Sequence, residues 1–153
     1  MTIRNARATD LEALLGVQRA AAVAAFPHVY PQDRYPFPDQ AIREVLRNHL
    51  ANLDVFVAEE NGSIVGFACV APGWLVELYV HPDAQSRGVG SRLHDEAVAR
   101  RRSAGDRELR LWTLEENHVG RPFYESRGWT LAPETRVVDY PPYPLDVSYV
   151  LPL

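Results

Sequence analysis

The sequence contains a single cysteine, Cys69, so no intrachain disulfide can form and no thiolate cluster can hold zinc. It has no apolar run of membrane-spanning length. The stretch after Met1 shows no basic cluster followed by an apolar segment, so no secretory signal is expected and the default location is cytoplasmic. Basic charge is not in excess: 16 Lys plus Arg stand against 20 Asp plus Glu, for a net charge of −4. That balance argues against the basic footprint of a nucleic-acid binder. Internal repeats and linker-like stretches are also absent.

What is present suits a globular protein. The 153 residues are 46% apolar and 24% charged, enough for one domain over residues 1–153 whose core needs no covalent staples. Ile3 to Arg7 reads as a short edge strand. Thr9 or Asp10 can cap a helix that runs to about Ala25 on Leu11, Leu14, Leu15 and Val17. Phe26 to Pro38 holds four prolines among aromatics and predicts an irregular loop. Asp39 can cap a second helix with Ile42, Val45, Leu46 and Leu50 on one face. Asp54–Glu60 and Ser63–Ala71 read as strands joined by Asn61-Gly62, the pair that a type I′ hairpin turn favours. Leu75–Val80 is a third strand, followed by a glycine-containing turn and a helix over Val89–Ser103. Leu109–Thr113 is a further strand. Val119–Arg127 reads as a helix stopped by Gly128. Trp129–Leu131 and Tyr149–Leu151 suit final strands around a Pro-rich loop. The order predicts a mixed sheet with helices packed on it.

The most informative segment runs from Leu78 to Leu93, where a strand enters a turn holding Gly88 and Gly90 and then a helix. A helix N-terminus presents unpaired N–H groups and partial positive charge, and glycines let a phosphate approach the backbone. Ser86 to Ser91 is therefore a candidate diphosphate cradle, with Arg87 and Arg92 adding charge. A Walker loop would need a Lys after Gly90, and a dinucleotide fingerprint would need glycine where Leu93 stands. A helix start whose glycines serve only the turn fits Gly-x-Gly equally well.

Gln85-Ser86-Arg87-Gly88-Val89-Gly90 resembles the Gln/Arg-x-x-Gly-x-Gly/Ala hallmark of the GNAT superfamily of N-acetyltransferases. Glu77-Leu78-Tyr79-Val80-His81-Pro82 is similar to the strand that precedes that hallmark. Asn117, then Phe123-Tyr124, then Gly128-Trp129 resembles the family's second element. The resemblance covers roughly Asp54 to Trp129. Gly120 and Pro122 depart from a regular helical pattern, although Pro122 would be tolerated in a first turn.

The resemblance implies an α/β (α+β) fold with a mixed, mostly antiparallel sheet flanked by helices. It implies acetyl-CoA as co-substrate, no metal, and direct attack by a primary amine in a ternary complex. The backbone of Leu78, Tyr79 and Val80 would pair with the pantetheine arm, and an N–H there, that of Val80, would face the thioester oxygen. Gln85, Ser86, Arg87, Gly88, Val89, Gly90 and Ser91 would hold the diphosphate, and Asn117 would bond the pantetheine or else cap a helix. Tyr124 would contact the co-substrate and protonate the departing thiolate, the alternative being a core tyrosine. Glu77 would take the proton of the amine, the alternative being a strand-surface carboxylate; His81 titrates near neutrality but precedes a proline. His28, Tyr30 and Trp74 would line the acceptor pocket, or simply pack.

Two other functions compete. A non-catalytic acyl-CoA-binding sensor would keep the glycine turn without working acid and base. A nicotinamide-binding protein is disfavoured by Leu93 and by the hairpin ahead of the turn. The acceptor, whether a small molecule or a peptide amine, is not legible, and monomer and homodimer both stay open.

Overall fold

The computed structural model describes residues 1–153. Its elements are β1 (Thr2–Asn5), α1 (Leu11–Ala25), α2 (Asp39–Asn52), β2 (Asp54–Glu60), β3 (Ser63–Ala71), β4 (Trp74–Val80), α3 (Val89–Ser103), β5 (Glu108–Leu114), α4 (Gly120–Glu125), β6 (Thr130–Val137) and β7 (Leu145–Pro152). The seven strands form one sheet in the order β1-β2-β3-β4-β5-β7-β6. Every neighbouring pair is antiparallel except β4 and β5. This is the mixed, mostly antiparallel sheet with flanking helices that the resemblance implies.

Strand alternation builds two cores, one on each face. Val55 and Val57 join Phe67, Cys69, Leu14, Leu15, Val17 and Leu46 under α1 and α2. Phe56 and Ala58 join Ala68, Val70, Val89, Leu93 and Ala97 under α3, with Leu109, Leu111, Trp129 and Tyr149 continuing the layer. Gly66 admits α3 closely: a Cβ there would lie 2.9 Å from Leu93 Cδ1 and 3.0 Å from the Tyr79 carbonyl oxygen. The Asn61-Gly62 turn has φ of 51° and 78°, as a type I′ hairpin requires.

Several boundaries differ from the sequence reading, among them that of the last strand, which starts at Leu145 and not at Tyr149. The first strand is Thr2–Asn5 and does not reach Arg7. The penultimate strand extends to Val137 through Pro133 because β6 is a sheet edge, and the register shift between Ala132 and Thr135 removes the proline from the ladder. The helix expected over Val119–Arg127 shortens to Gly120–Glu125. Pro122 therefore lies in its first turn, where a missing N–H costs little.

Candidate active site

The parallel pair β4–β5 is in register only at Trp74 and Arg110. Beyond that point the strands part, and the edge of β4 from Val76 to Val80 is left open toward β5. The His81 N–H donates to the Val65 carbonyl at 2.8 Å. Counting back along an antiparallel ladder puts the main-chain groups of Tyr79 toward β3 and those of Leu78 and Val80 toward the opening. The Val80 carbonyl, free of the ladder, accepts from Gln85 Nε2 at 3.3 Å.

A bulge re-aims the side chains at this place. Cys69 faces Glu77 and Val70 faces Leu75, so Val76 is the extra residue. Val76 and Tyr79 both pack toward α1 and α2, and alternation from Tyr79 puts Glu77 on that face too. Leu78 and Val80 pack toward α3.

A cavity of about 830 Å³ opens on the α1–α2 side of the gap. Glu77, Leu78, Tyr79, Tyr124, Asn117, Tyr30 and Trp74 all border it. Burial raises the Glu77 carboxyl to about 7, with the nearby Tyr79 hydroxyl and Arg136 pulling the other way. Tyr124 is 9% exposed, and its ring packs edge-on against Phe123 and Trp129. Burial, and then the Glu77 charge, push its phenol above the ordinary tyrosine value, so it stays protonated. The cavity thus holds a carboxyl poised near neutrality and a phenol that keeps its proton.

Ser86 and Gly88 take positive φ, 65° and 82°, which wraps the turn over the start of α3. No side chain caps that helix. The first N–H with a backbone acceptor is that of Arg92, to the Gly88 carbonyl at 3.1 Å. The N–H groups of Ser86, Arg87, Gly88, Val89, Gly90 and Ser91 have none, and a Cβ on Gly88 would meet open space. This is the donor set that a diphosphate needs. At Gly90 a Cβ would come into ordinary van der Waals contact with Phe123 Cε2, at 3.4 Å. Arg87 pairs with Glu60 at 2.8 Å. Arg127 stacks over the Phe123 ring at 3.7 Å and donates to Ser91 Oγ, which brings a cation to the turn that no sequence motif marked.

Asn117 is tied locally. Its Oδ1 accepts from the Gly120 N–H at 2.8 Å and its Nδ2 donates to Thr113 Oγ1 at 2.9 Å, so it caps α4. That explains Gly120, where a Cβ would lie 2.2 Å from Asn117 Nδ2. His28 is the one expected acceptor-site residue that the structure leaves outside the cavity. It is exposed, stacks on His118 at 4.9 Å and bonds the Glu116 carbonyl oxygen through Nε2 at 2.8 Å. It thereby anchors the aromatic loop to the β5–α4 connection.

Residues 51–131 match the acetyltransferase (GNAT) domain. The chain belongs to the GNAT acetyltransferase family. Among relatives, it is 30% identical to the uncharacterized N-acetyltransferase YhfO of Bacillus subtilis, over 84% of this chain and 89% of that protein. It is 27% identical to the L-amino acid N-acyltransferase MnaT of Escherichia coli, over 86% of this chain and 80% of that protein. The fold superposes on a GCN5-related N-acetyltransferase from Rhodopseudomonas palustris with a TM-score of 0.87 and 20% identity, over 99% and 95% of the two chains. In this GNAT chain four further cavity residues carry no sequence signal: Gln18, His49, Arg136 and Asp146. They come from α1, α2, β6 and β7, and only the folded sheet brings them together.

Proposed function

We propose that this chain transfers an acetyl group from acetyl-CoA directly to a primary amine in a ternary complex. One observation carries the reading. The opening between β4 and β5 has an uncapped, N–H-lined turn at one end and the Glu77–Tyr124 pair at the other.

Acetyl-CoA supplies the thioester carbonyl and the thiolate leaving group. The turn from Ser86 to Ser91 holds the diphosphate through main-chain N–H groups, with Gln85 fixing the strand end through the Val80 carbonyl. The open edge at Leu78 and Val80 pairs with the amides of the pantetheine arm, as an added strand would. An N–H of that edge faces the thioester oxygen and stabilises the charge that develops there. Asn117 keeps one Nδ2 hydrogen for the same arm after bonding Thr113. Glu77, ionised above about pH 7, takes the proton of the acceptor ammonium and exposes the nitrogen lone pair. The amine nitrogen then bonds the carbonyl carbon, the C–S bond breaks, Tyr124 gives its proton to the thiolate, and the second proton shed by the acylated nitrogen restores the phenol.

Cys69 favours direct transfer over a covalent acyl-enzyme. It is 1% exposed, lies on the α1–α2 face, and burial pushes its thiol up to about 12. A thiolate nucleophile needs the opposite environment. Initial rates measured with both substrates varied test the reading. Intersecting double-reciprocal lines are expected; parallel lines would mean an acyl-enzyme. Thermal stabilisation by acetyl-CoA without thiol release by any amine would mean a binding sensor.

A further inference from the structure

We propose that the acceptor is a small primary amine on an aromatic-sized apolar body that bears no carboxylate, such as a phenylethylamine. The inference rests on the acetyltransferase reading and names the substrate class of the same site.

The charges around the cavity carry it. Glu77, Asp139 and Asp146 border it against a single arginine, Arg136. That arginine is already engaged: Arg136 Nε donates to Asp146 Oδ2 at 2.9 Å, and its guanidinium lies 4.5 Å over the Trp112 ring. His49 adds no cation, because burial lowers its pKa and favours the neutral ring. An ammonium entering the cavity meets carboxylates and aromatic faces, both of which attract it. A carboxylate entering beside that ammonium meets three carboxylates and one guanidinium already shared with Asp146, so most of its lost water goes uncompensated. A free amino acid is therefore the wrong acceptor for this cavity, although a relative is named for that activity.

The walls fix the rest. Phe26, Tyr30, Tyr35, Phe37, Trp74 and Trp112 supply broad apolar faces. Two buried polar atoms on the lining, Gln18 Oε1 and His49 Nδ1, have no hydrogen-bond partner in the protein. Tyr140 Oη donates to the Pro36 carbonyl at 2.9 Å, so two loops from opposite ends of the chain are tied together beside the cavity. That tie favours a small molecule over a protein surface.

The test compares matched acceptors with the wild-type chain: phenylethylamine and tyramine, phenylalanine and tyrosine, and a short lysine-containing peptide. The expected kcat/KM is about tenfold or more higher for each amine than for the amino acid with the same side chain, because the carboxylate must compete with Asp146 for the one guanidinium. Asp146→Asn releases Arg136 and should narrow that ratio while leaving the KM for acetyl-CoA unchanged. Val45→Lys gives an independent check if Asp146→Asn fails to fold. Val45 is exposed at the cavity border, so an added cation there should narrow the ratio in the same direction. Equal or better use of phenylalanine, or preference for the lysyl peptide, overturns the inference and leaves the acetyltransferase reading standing. Acetyl-CoA that neither stabilises the chain nor is consumed with any amine overturns both.

Discussion

Glu77 is the residue where structure and chemistry meet most closely. Its folded pKa is raised by burial to about 7, above an ordinary carboxyl. The turnover number should therefore rise with pH through about 7 and level off, and Glu77→Gln should lose both that limb and most of the rate. The sign for stability runs the other way. A group with a raised folded pKa contributes stability that is complete below its unfolded value, near 4.5, and lost as pH rises through about 7. Glu77→Gln should therefore gain on the wild type by about 2 kcal/mol between pH 5 and pH 8, since each pKa unit is worth about 1.4 kcal/mol and the carboxyl is partly exposed. Denaturant melts of both proteins at the two pH values check this; a constant difference would mean that the carboxyl is not desolvated. Tyr124→Phe keeps the ring stack and removes only the hydroxyl. Acetyl-CoA affinity should hold while turnover falls on the order of 10²-fold, the low end for a positioned acid, because a thiolate leaves readily. Unaltered turnover where chemistry limits the rate would assign Tyr124 to packing.

Two short elements make contrasting predictions. Gly88 must adopt a φ of 82°, and a β-branched residue there costs about 1–2 kcal/mol. Gly88→Val should melt lower and bind acetyl-CoA at least about tenfold more weakly, because the added methyls also occupy the space before the N–H cradle. Gly88→Asn tolerates the backbone and should restore most of the melting temperature. Circular dichroism alongside calorimetry separates the two effects, and a folded Gly88→Val with normal affinity would mean that the glycine serves only the turn. In α4 the usual propensity rule should fail. Alanine normally stabilises a helix over glycine by about 1 kcal/mol. Gly120→Ala should instead destabilise by about 1–2 kcal/mol, since its Cβ displaces Asn117 from its bonds to Thr113 and the Gly120 N–H. A higher melting temperature would show that the Asn117 cap is worth little.

These elements also show how much of the molecule could be read from its residues. The bounds of α3, Val89 to Ser103, follow directly from a glycine turn ahead of a polar amphipathic run. Asp54–Glu60 was legible as a strand, but that Val55 and Val57 face one core while Phe56 and Ala58 face another is seen only in the folded sheet. The α4 start was harder, because Gly120 looks unfavourable until Asn117 is seen folded against it. Strand β6 crosses a proline, which local propensity rejects and an edge position permits.

At the scale of the whole molecule, the glycine turn and Tyr124 were legible as motifs, whereas the cavity beside them was not. The parting of β4 and β5 beyond Trp74 depends on sheet topology, and the bulge at Val76 has no local marker. Gln18, His49, Arg136 and Asp146 converge from four elements across more than 120 residues of sequence, so no spacing could announce them. The place of His28 was illegible for the same reason: the fold turns its ring to Glu116 and His118, outside the cavity.

One compositional fact sharpens the decisive experiment. All the basic residues other than histidine are arginine, so the chain has no lysine side chain of its own to acetylate. Release of CoA thiol from acetyl-CoA by the purified chain can then be followed against a low background, with and without a primary amine such as phenylethylamine. The account predicts release that depends on the amine, saturates with it, and falls sharply in Glu77→Gln. Release that is absent across a broad panel of primary amines, or that proceeds equally without any amine, would contradict it.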